Sequence, residues 1–273
     1  MRLEHSQPGK VDFDGVPALI VARHPLAMVY GGGGVFGIAY TSGVAAGLAE
    51  AGIPVATAPA LGTSAGSWTA SSIALGLTYD SLRTVSSPPV PNRRAGVLAD
   101  IARQLFGEAT HPLVAVSAFC VRTRRRHILD GGRYPLADLV AASSAVPGLL
   151  PPHRVDGRLY VDGGMWSVTS VDAAAEADQV IVVAPLAGAV MGPMGRTAGF
   201  LLERELRRWK TRHPESSITL IRPNQAIARV VGIHPLALFD DARAHEVYPL
   251  AFDQGLRHGE LMNGTTAEPG PAA

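Results

Sequence analysis

Residues 55–66 read VATAPALGTSAG, in which an apolar run over residues 55–61 leads into a G-x-S-x-G pentapeptide centred on Ser64. Small helix-forming residues follow it. The pattern predicts a buried strand, a sharp turn and a helix, which is the setting of a turn that presents a nucleophilic serine. Gly62 and Gly66 carry no side chain that would collide with a neighbouring strand or with an incoming acyl group. The structural alternative is a small-residue helix start with Ser64 as an ordinary N-cap.

The same strand, turn and helix pattern occurs once earlier in the chain. An apolar run over residues 26–30 is followed by GGGGVFG at residues 31–37 and then by a helix-forming stretch. In a dinucleotide-binding fold such a turn cradles pyrophosphate, and an acidic residue about 20 positions further on binds the ribose. No acidic residue lies between Glu50 and Asp80. Dinucleotide binding is therefore the less favoured of two chemical interpretations.

The second interpretation of the glycine-rich turn is an oxyanion hole. Because the four glycines have no Cβ atoms to screen their amides, two or three N–H groups of this turn can be directed at the oxygen of a tetrahedral acyl intermediate. Gly37 completes the G-x-G-x-x-G pattern of this turn. A tight strand-to-helix turn that binds no ligand is the structural alternative.

A serine nucleophile needs a base, and the sequence Asp162-Gly163-Gly164 provides a candidate after a short predicted strand over residues 159–161. We expect the Asp162 carboxylate to stand unobstructed beside Ser64. The same tripeptide at Asp130-Gly131-Gly132 follows a basic turn over residues 122–126 and is interpreted as the end of a hairpin. The downstream histidines are interpreted as surface or structural residues. They are His111, His127, His153, His213, His234, His245 and His258.

Composition limits the classes of partner. The chain has 273 residues, of which 47% are hydrophobic and 17% are charged, and its formal net charge is +1. These values exclude a disordered chain and give no bulk attraction to nucleic acid. Cys120 is the only cysteine, which excludes an intrachain disulfide and a cysteine-based zinc site, and it is expected in the core. No apolar run of 18 or more residues and no signal-peptide pattern are found, so we expect a cytoplasmic protein.

One regime of composition runs along the chain, without internal repeats, and predicts a single three-layer α/β domain over residues 26–262. Its apolar strands are expected in a sheet that is covered on both faces. Residues 79–110 have poorer periodicity and are predicted to form a cap-like insertion over the core. Residues 1–25 are interpreted as an N-terminal extension and residues 263–273 as a flexible tail.

The order and spacing of four motifs resemble those of the patatin-like phospholipases, which are lipid acyl hydrolases with a Ser-Asp dyad. The resemblance implies a three-layer α/β/α fold with a mostly parallel central sheet. It also implies Ser64 as nucleophile, Asp162 as base and the amides of Gly32, Gly33 and Gly34 as oxyanion donors, without a metal or a cofactor. The motifs are the glycine-rich loop 31–37, the elbow 62–66, an S-x-A-x-P-G-x-x-P-P block within 142–152, and Asp162-Gly163-Gly164.

The resemblance implies a serine lipid acyl hydrolase of the phospholipase A, lysophospholipase or carboxylesterase type. Two positions depart from the family pattern: Phe36 stands where many relatives have Arg or Lys, and Tyr40 stands where bacterial relatives often have His. The alternatives are a catalytically silent lipid-binding protein of the same fold and a Rossmann-type oxidoreductase. Arg93 and Arg94 are candidates for peripheral contact with anionic lipid headgroups, whereas solvated faces are the simpler interpretation of the arginine clusters.

Overall fold

The computed structural model describes residues 22–232 and 234–266. An eight-stranded mixed sheet lies at the centre of this part of the chain. Its strands are β1 (His24–Tyr30), β2 (Ala60–Thr63), β3 (Val114–Cys120), β4 (Arg125–Asp130), β5 (His153–Val155), β6 (Arg158–Asp162), β7 (Ala177–Val183) and β8 (Ser217–Ile221).

Eight α-helices lie within the described residues. Two of them, α1 and α2, directly follow β1 and β2 through the two glycine-containing turns. The helices are α1 (Gly34–Glu50), α2 (Ala65–Ala74), α3 (Tyr79–Leu82), α4 (Val97–Phe106), α5 (Leu136–Ser143), α6 (Gly192–Arg212), α7 (Gln225–Val231) and α8 (Asp241–Thr266).

Five strands of the sheet are parallel, in the order β8-β7-β1-β2-β3. The antiparallel strand β4 covers one edge of β3 along most of its length. The other edge of β3 carries two strands in succession, because Thr63 of β2 pairs with Ser117 and Asp162 of β6 pairs with Ala118. Strands β2 and β6 therefore meet end to end, and their last residues adjoin.

The sheet is covered on both faces, as the apolar strands predict. On β1, Leu26, Met28 and Tyr30 belong to the core cluster that includes α1, α4, α5 and α8, whereas Ala27 and Val29 belong to a second cluster on the opposite face. That second cluster is closed by α6 and residues 171–175. The three-layer α/β fold with a mostly parallel sheet is confirmed. Cys120 is fully buried in the first cluster.

The structure corrects three local expectations. Strand β2 begins at Ala60 rather than at residue 55, because Pro59 has no amide hydrogen to donate to the sheet. Short strand β5 and helix α7 were not expected, although α7 has an N-cap, Asn224, whose side chain accepts a hydrogen bond from the Ile227 amide. Strand β1 starts within the predicted extension at His24, and α8 continues through the first four residues of the predicted tail. The rest of both predicted segments, residues 1–21 and 267–273, lies outside the described residues.

A further correction concerns the basic turn at residues 122–126. Arg126 lies in β4 and is buried, and its guanidinium forms a bidentate pair with the Asp172 carboxylate at 2.7 and 2.9 Å. The interpretation of this cluster as a solvated face is therefore wrong for Arg126. A bidentate arginine pair of this kind fixes geometry as well as charge, and here it joins β4 to the segment that follows the candidate base.

Helices α1 and α8 pack at a distance that only glycine allows at several positions. A methyl group at Gly255 of α8 would overlap the carbonyl of Val44, and one at Gly47 of α1 would overlap the carbonyl of Phe252. Because both clashes are with backbone atoms, neither can be relieved by a side-chain rotation. Close packing against α8 thus fixes the position of α1, the helix that begins at the glycine-rich turn.

We expect Gly255→Ala to lower the free energy of unfolding by about 1–3 kcal/mol, the usual cost of overpacking a close contact. The matched control is Gly264→Ala on the same helix, where a methyl group would meet nothing within 4 Å. That control should leave stability unchanged or raise it slightly, since alanine favours the helix. Urea denaturation followed by circular dichroism measures both, and equal stability of the two variants would contradict the packing argument.

Candidate active site

Ser64 occupies a strained turn between β2 and α2. Its φ of 51° and ψ of −120° are rarely adopted by residues other than glycine. The glycines around it are required by close packing: a methyl group at Gly66 would overlap the carbonyl of Tyr30, and one at Gly62 would lie 2.5 Å from the Cα of Ser67. The strand, turn and helix setting expected for this pentapeptide is present.

The Ser64 hydroxyl donates a hydrogen bond of 2.6 Å to Oδ2 of Asp162. The other carboxylate oxygen, Oδ1, accepts a hydrogen bond of 2.6 Å from the Gly164 amide. Gly163 cannot be replaced without a clash, since a methyl group there would overlap the carbonyl of Ser117. The two candidate catalytic residues are thus in direct contact, and each oxygen of the carboxylate has a donor.

Both side chains are largely removed from solvent, with Ser64 8% and Asp162 6% exposed. Burial raises the pKa of Asp162 from 3.8 to about 6, against the opposing effect of the hydrogen bonds from Ser64 and Gly164. The sign follows from desolvation, which penalises the ionised carboxylate. At neutral pH the carboxylate is ionised and is a stronger base than a solvated aspartate.

Two serines that sequence reasoning did not single out hold the elbow in place. The Ser64 amide donates to the hydroxyl of Ser143 at 2.8 Å, and that hydroxyl donates in turn to the carbonyl of Ser117 at 2.7 Å. Ser143 stands at the start of the proline-containing block recognised in the sequence, so its position in that motif was the available signal. Ser117 carried no local signal, because its role depends on the pairing of β3 with both β2 and β6.

The glycine-rich loop lies beside Ser64, since a methyl group at Gly32 would lie 3.2 Å from the Cβ of Ser64. The Gly32 amide, however, donates to the carbonyl of Val168 at 2.7 Å. This amide is therefore already occupied in this conformation, and the role of Gly32 as an oxyanion donor stays a prediction. The amides of Gly33 and Gly34, at the N-terminus of α1, precede the first intrahelical bond, from the Gly37 amide to the Gly33 carbonyl. These two amides remain as candidate donors.

A cavity of about 540 Å³ opens beside Ser64 and Gly34. This volume is within the range of about 300–1,000 Å³ that is typical of small-molecule sites. Its polar lining includes Arg83, Asp241 and His245. Much of one wall comes from the segment predicted as a cap, through α3, the loop after it and α4. The large apolar lining residues are Trp68, Leu82, Leu98, Ile101, Leu150 and Phe239.

The histidines and Phe36 have structural contacts. Among the described residues, no histidine forms a hydrogen bond with Ser64, and only His245 of the predicted set lines the cavity. His245 Nδ1 lies 3.2 Å from the Tyr79 hydroxyl, and His153 Nε2 lies 2.8 Å from Asp138 Oδ1. Phe36 is buried and stacks on Tyr40 with ring centroids 5.9 Å apart. The unusual Phe36 therefore belongs to the core.

Within residues 22–232 and 234–266, no group of three or more His, Cys, Asp or Glu side chains is arranged to hold a metal ion. No helix in the same part of the chain has the length and apolarity needed to cross a membrane.

The fold and the site define an α/β protein with a serine elbow and an adjacent buried aspartate. A family model described as patatin-like phospholipase matches residues 90–175. Three curated relatives, one from Mycobacterium bovis and two from strains of Mycobacterium tuberculosis, carry the name uncharacterized NTE family protein and are 34% identical over 107 residues. The match covers 37% of this chain and 29% of each relative, so it spans less than a third of their length. These findings support a patatin-like family for the chain, as the motifs predict.

The raised pKa of Asp162 predicts how the stability of an Asp162→Asn variant depends on pH. Because the folded-state pKa of about 6 exceeds the ordinary 3.8, the folded protein binds this proton more tightly, and ionisation destabilises the fold as pH rises through that window. We expect Asp162→Asn to be more stable than the wild type at pH 7, by at most about 3 kcal/mol, and to show no such gain below pH 4.

The matched control for this measurement is Asp130→Asn. Asp130 precedes the same pair of glycines, and its Oδ1 likewise accepts a hydrogen bond from the second glycine amide, but its side chain is only partly buried. Chemical denaturation at pH 4 and pH 7 measures the change in the free energy of unfolding for each of the two variants. A pH-dependent gain of the same size in both variants would mean that burial of Asp162 is not its cause.

Proposed function

We propose that this chain is a serine lipid acyl hydrolase in which Ser64 and Asp162 form the catalytic dyad. The observation that carries the proposal is the 2.6 Å hydrogen bond from the Ser64 hydroxyl to the buried Asp162 carboxylate, beside a largely apolar cavity. The patatin-like family match supports a lipid ester as the class of substrate.

In the proposed reaction, Asp162 accepts the hydroxyl proton as Ser64 Oγ attacks the ester carbonyl carbon. The amides of Gly33 and Gly34 stabilise the negative charge that develops on the carbonyl oxygen. Collapse of this intermediate breaks the ester bond, and the alcohol leaves with the proton from Asp162. Water then attacks the acyl-enzyme with Asp162 as base again, which releases the fatty acid and restores Ser64.

Oxyanion stabilisation is needed because a carboxylate alone is a weak base for a serine hydroxyl. Raising the pKa of Asp162 to about 6 reduces the difference in pKa between the carboxylate base and the serine hydroxyl that it deprotonates. The N-terminal end of α1 adds a favourable dipole at the place where negative charge develops. Together, the buried carboxylate and the helix N-terminus replace the histidine of a Ser-His-Asp triad.

The geometry of the site also bears on the two alternative functions, dinucleotide binding and lipid binding without catalysis. Dinucleotide binding is disfavoured because β2 leads into Thr63 and Ser64 without an acidic residue, and because the glycine loop packs against Ser64. A catalytically silent lipid-binding protein would need the same cavity but no reactive serine. Reactivity of Ser64 therefore separates this rival from the enzyme.

We expect a fluorophosphonate probe to label the wild-type protein at Ser64, and Ser64→Ala and Asp162→Asn to abolish both labelling and hydrolysis of short-chain acyl esters. The matched control is Ser86→Ala, which removes an exposed serine from the lining of the same cavity. That variant should be labelled like the wild type. Failure of the folded wild type to react would favour the silent lipid-binding protein.

The same assay distinguishes a dyad from a triad. His245 is the histidine that lines the cavity, so His245→Asn is the sharpest variant. It should retain hydrolysis within a few-fold of the wild type, because Ser64 donates its proton directly to Asp162. Loss of activity in a folded His245→Asn protein would indicate a triad. Acyl esters of graded chain length and headgroup, from phospholipids to monoacylglycerols, would then define the preferred lipid.

Peripheral contact with a lipid surface is a second part of the proposal. Met165 and Trp166 directly follow the motif that ends at Gly164 and are 57% and 42% exposed. Exposed tryptophan and methionine beside a lipid site suit insertion at the boundary between headgroups and acyl chains. Arg93 is exposed, whereas Arg94 is paired with Asp100. An anionic headgroup would therefore meet Arg93 more readily.

In flotation with phosphatidylcholine vesicles, we expect Trp166→Ser to bind less than the wild type. Arg93→Ser should weaken binding by about fivefold on anionic vesicles only, since one basic residue near such a surface contributes about 1 kcal/mol. Leu261→Ser is the control, because it removes an apolar side chain of α8 that is even more exposed than Trp166. Equal flotation of all four proteins would argue against membrane contact through this surface.

A further inference from the structure

A buried acidic residue outside the proposed reaction lies on α6. Glu205 is 8% exposed and faces the second core cluster, between Leu202 and Trp209 on the same helix. Its Oε2 accepts a hydrogen bond of 3.2 Å from the Val171 amide, and the nearby Ser167 hydroxyl lowers the pKa of the carboxylate against the effect of burial. A buried carboxylate is costly unless its oxygens are satisfied, and here both of these partners come from a single turn, residues 167–171.

The Ser167 hydroxyl has only one hydrogen bond left to make, in which its proton is donated to Glu205. Its hydroxyl oxygen accepts hydrogen bonds from the amides of Thr169 at 3.2 Å and Ser170 at 2.8 Å. Both lone pairs are thereby used, so the single hydroxyl proton is left for the carboxylate. The turn also contains a left-handed backbone at Ser170, with φ of 57°. Glu205 therefore supplies the acceptor that this strained turn would otherwise lack.

This turn contacts the candidate site at two points. The carbonyl of Val168 accepts the Gly32 amide at 2.7 Å, which fixes the glycine-rich loop. The Ser170 hydroxyl lies 2.9 Å from that of Ser117, the residue whose carbonyl holds Ser143 and, through it, the Ser64 amide. The turn also begins three residues after the end of Asp162-Gly163-Gly164. It thus joins the base, the glycine-rich loop and the elbow.

The charged groups around Glu205 are few. Asp172, in the adjoining 3₁₀ turn, is paired with Arg126 of β4, and Arg212 of α6 donates to the Asp172 carbonyl. Burial, with a further contribution from Asp172, raises the pKa of Glu205, while Ser167 and Arg126 oppose the rise. Glu205 therefore exchanges its proton at higher pH than a solvated glutamate.

We propose that Glu205 is a positioning residue, whose ionised carboxylate holds the 167–171 turn and so keeps the Val168 carbonyl on the Gly32 amide and the glycine-rich loop against Ser64. When Glu205 is protonated, it can no longer accept from both Ser167 and Val171 as the carboxylate does. The turn then loosens and the oxyanion donors lose their alignment. The catalytic consequence rests on the proposed hydrolase function, whereas the structural consequence does not.

The test compares Glu205→Gln with Glu203→Gln. Glu203 lies on the same helix but is half exposed and pairs with Arg222, so it controls for loss of an acidic side chain from α6. Hydrogen exchange, read by mass spectrometry in peptides containing Gly32 and residues 163–171, reports on the turn without any need for activity. We expect about tenfold faster exchange in both peptides of Glu205→Gln, as for loss of one hydrogen bond to a charged group, and no change in Glu203→Gln.

The second readout is the pH profile of kcat/KM for an acyl ester. In the wild type, Asp162 and Glu205 must both be ionised, so the acid limb should be steeper than for one proton. In Glu205→Gln we expect a lower plateau and an acid limb with a single-proton slope, governed by Asp162. A merely structural glutamate would lower the plateau and leave the slope unchanged, which would overturn the proposal.

Ser167→Ala is the second variant if Glu205→Gln does not fold. Because the Ser167 hydrogen bond lowers the pKa of Glu205, its removal should move the acid limb to higher pH and speed exchange at Gly32. Unchanged exchange at Gly32 in every folded variant of this pair would overturn the positioning role even in an active enzyme. Faster exchange together with no hydrolysis by the wild type would retain that role and reject the hydrolase.

Discussion

The end-to-end meeting of β2 and β6 along one edge of β3 is the constraint on which the site depends. Consecutive residues of β3, Ser117 and Ala118, pair with the last residue of β2 and the last residue of β6. A parallel and an antiparallel strand therefore point their ends at each other. Ser64 and Asp162 follow or form these ends, so their contact is set by main-chain pairing rather than by flexible side chains. A one-residue slip of either strand would turn its side chains to the other face.

Because the strand ends adjoin, the backbones around them must approach very closely, and small residues make this possible. Gly66 packs on the Tyr30 carbonyl, and Gly163 packs on the Ser117 carbonyl. The same need recurs behind the site, where α1 and α8 meet through Gly47 and Gly255. The small residues at these contacts thus help to position the candidate site. They allow the glycine-rich loop, the turn at Ser64 and the end of β6 to approach the Ser64 hydroxyl.

Burying two carboxylates in such a structure is unfavourable for stability, and this cost points to a functional role for Asp162 and Glu205. Burial raises the pKa of both Asp162 and Glu205, so ionisation of either carboxylate is unfavourable for stability. Asp162 recovers part of that cost from Ser64 and Gly164, and Glu205 recovers part from Ser167 and Val171. Residues that weaken the fold are expected where a rigid, desolvated site is needed.

Local sequence patterns were sufficient for the strand and helix framework and for the pairing of Ser64 with Asp162 as candidates. Each of these follows from a short motif that determines the local backbone structure, as a glycine does where two backbone segments are in close contact. The patterns did not reveal that Gly32 is bound to Val168 or that Arg126 is buried against Asp172. These features depend on partners that lie far away in the sequence, as Asp172 lies 46 positions from Arg126. Their residue types look ordinary until the topology brings them together.

The family match and the contact geometry bear on different parts of the same site. Residues 90–175 contain Ser143, Asp162 and the 167–171 turn, but neither Ser64 nor the glycine-rich loop. Three of the hydrogen bonds that join the matched and unmatched parts lie at the candidate site: Ser64 Oγ to Asp162, the Ser64 amide to Ser143, and the Gly32 amide to Val168. Each joins a residue of the Ser64 turn or the glycine-rich loop to one in the region that contains Asp162. The proposed chemistry at Ser64 therefore requires that these two regions fold together. A variant that loosens only the 167–171 turn should impair the elbow and the loop while leaving the sheet intact.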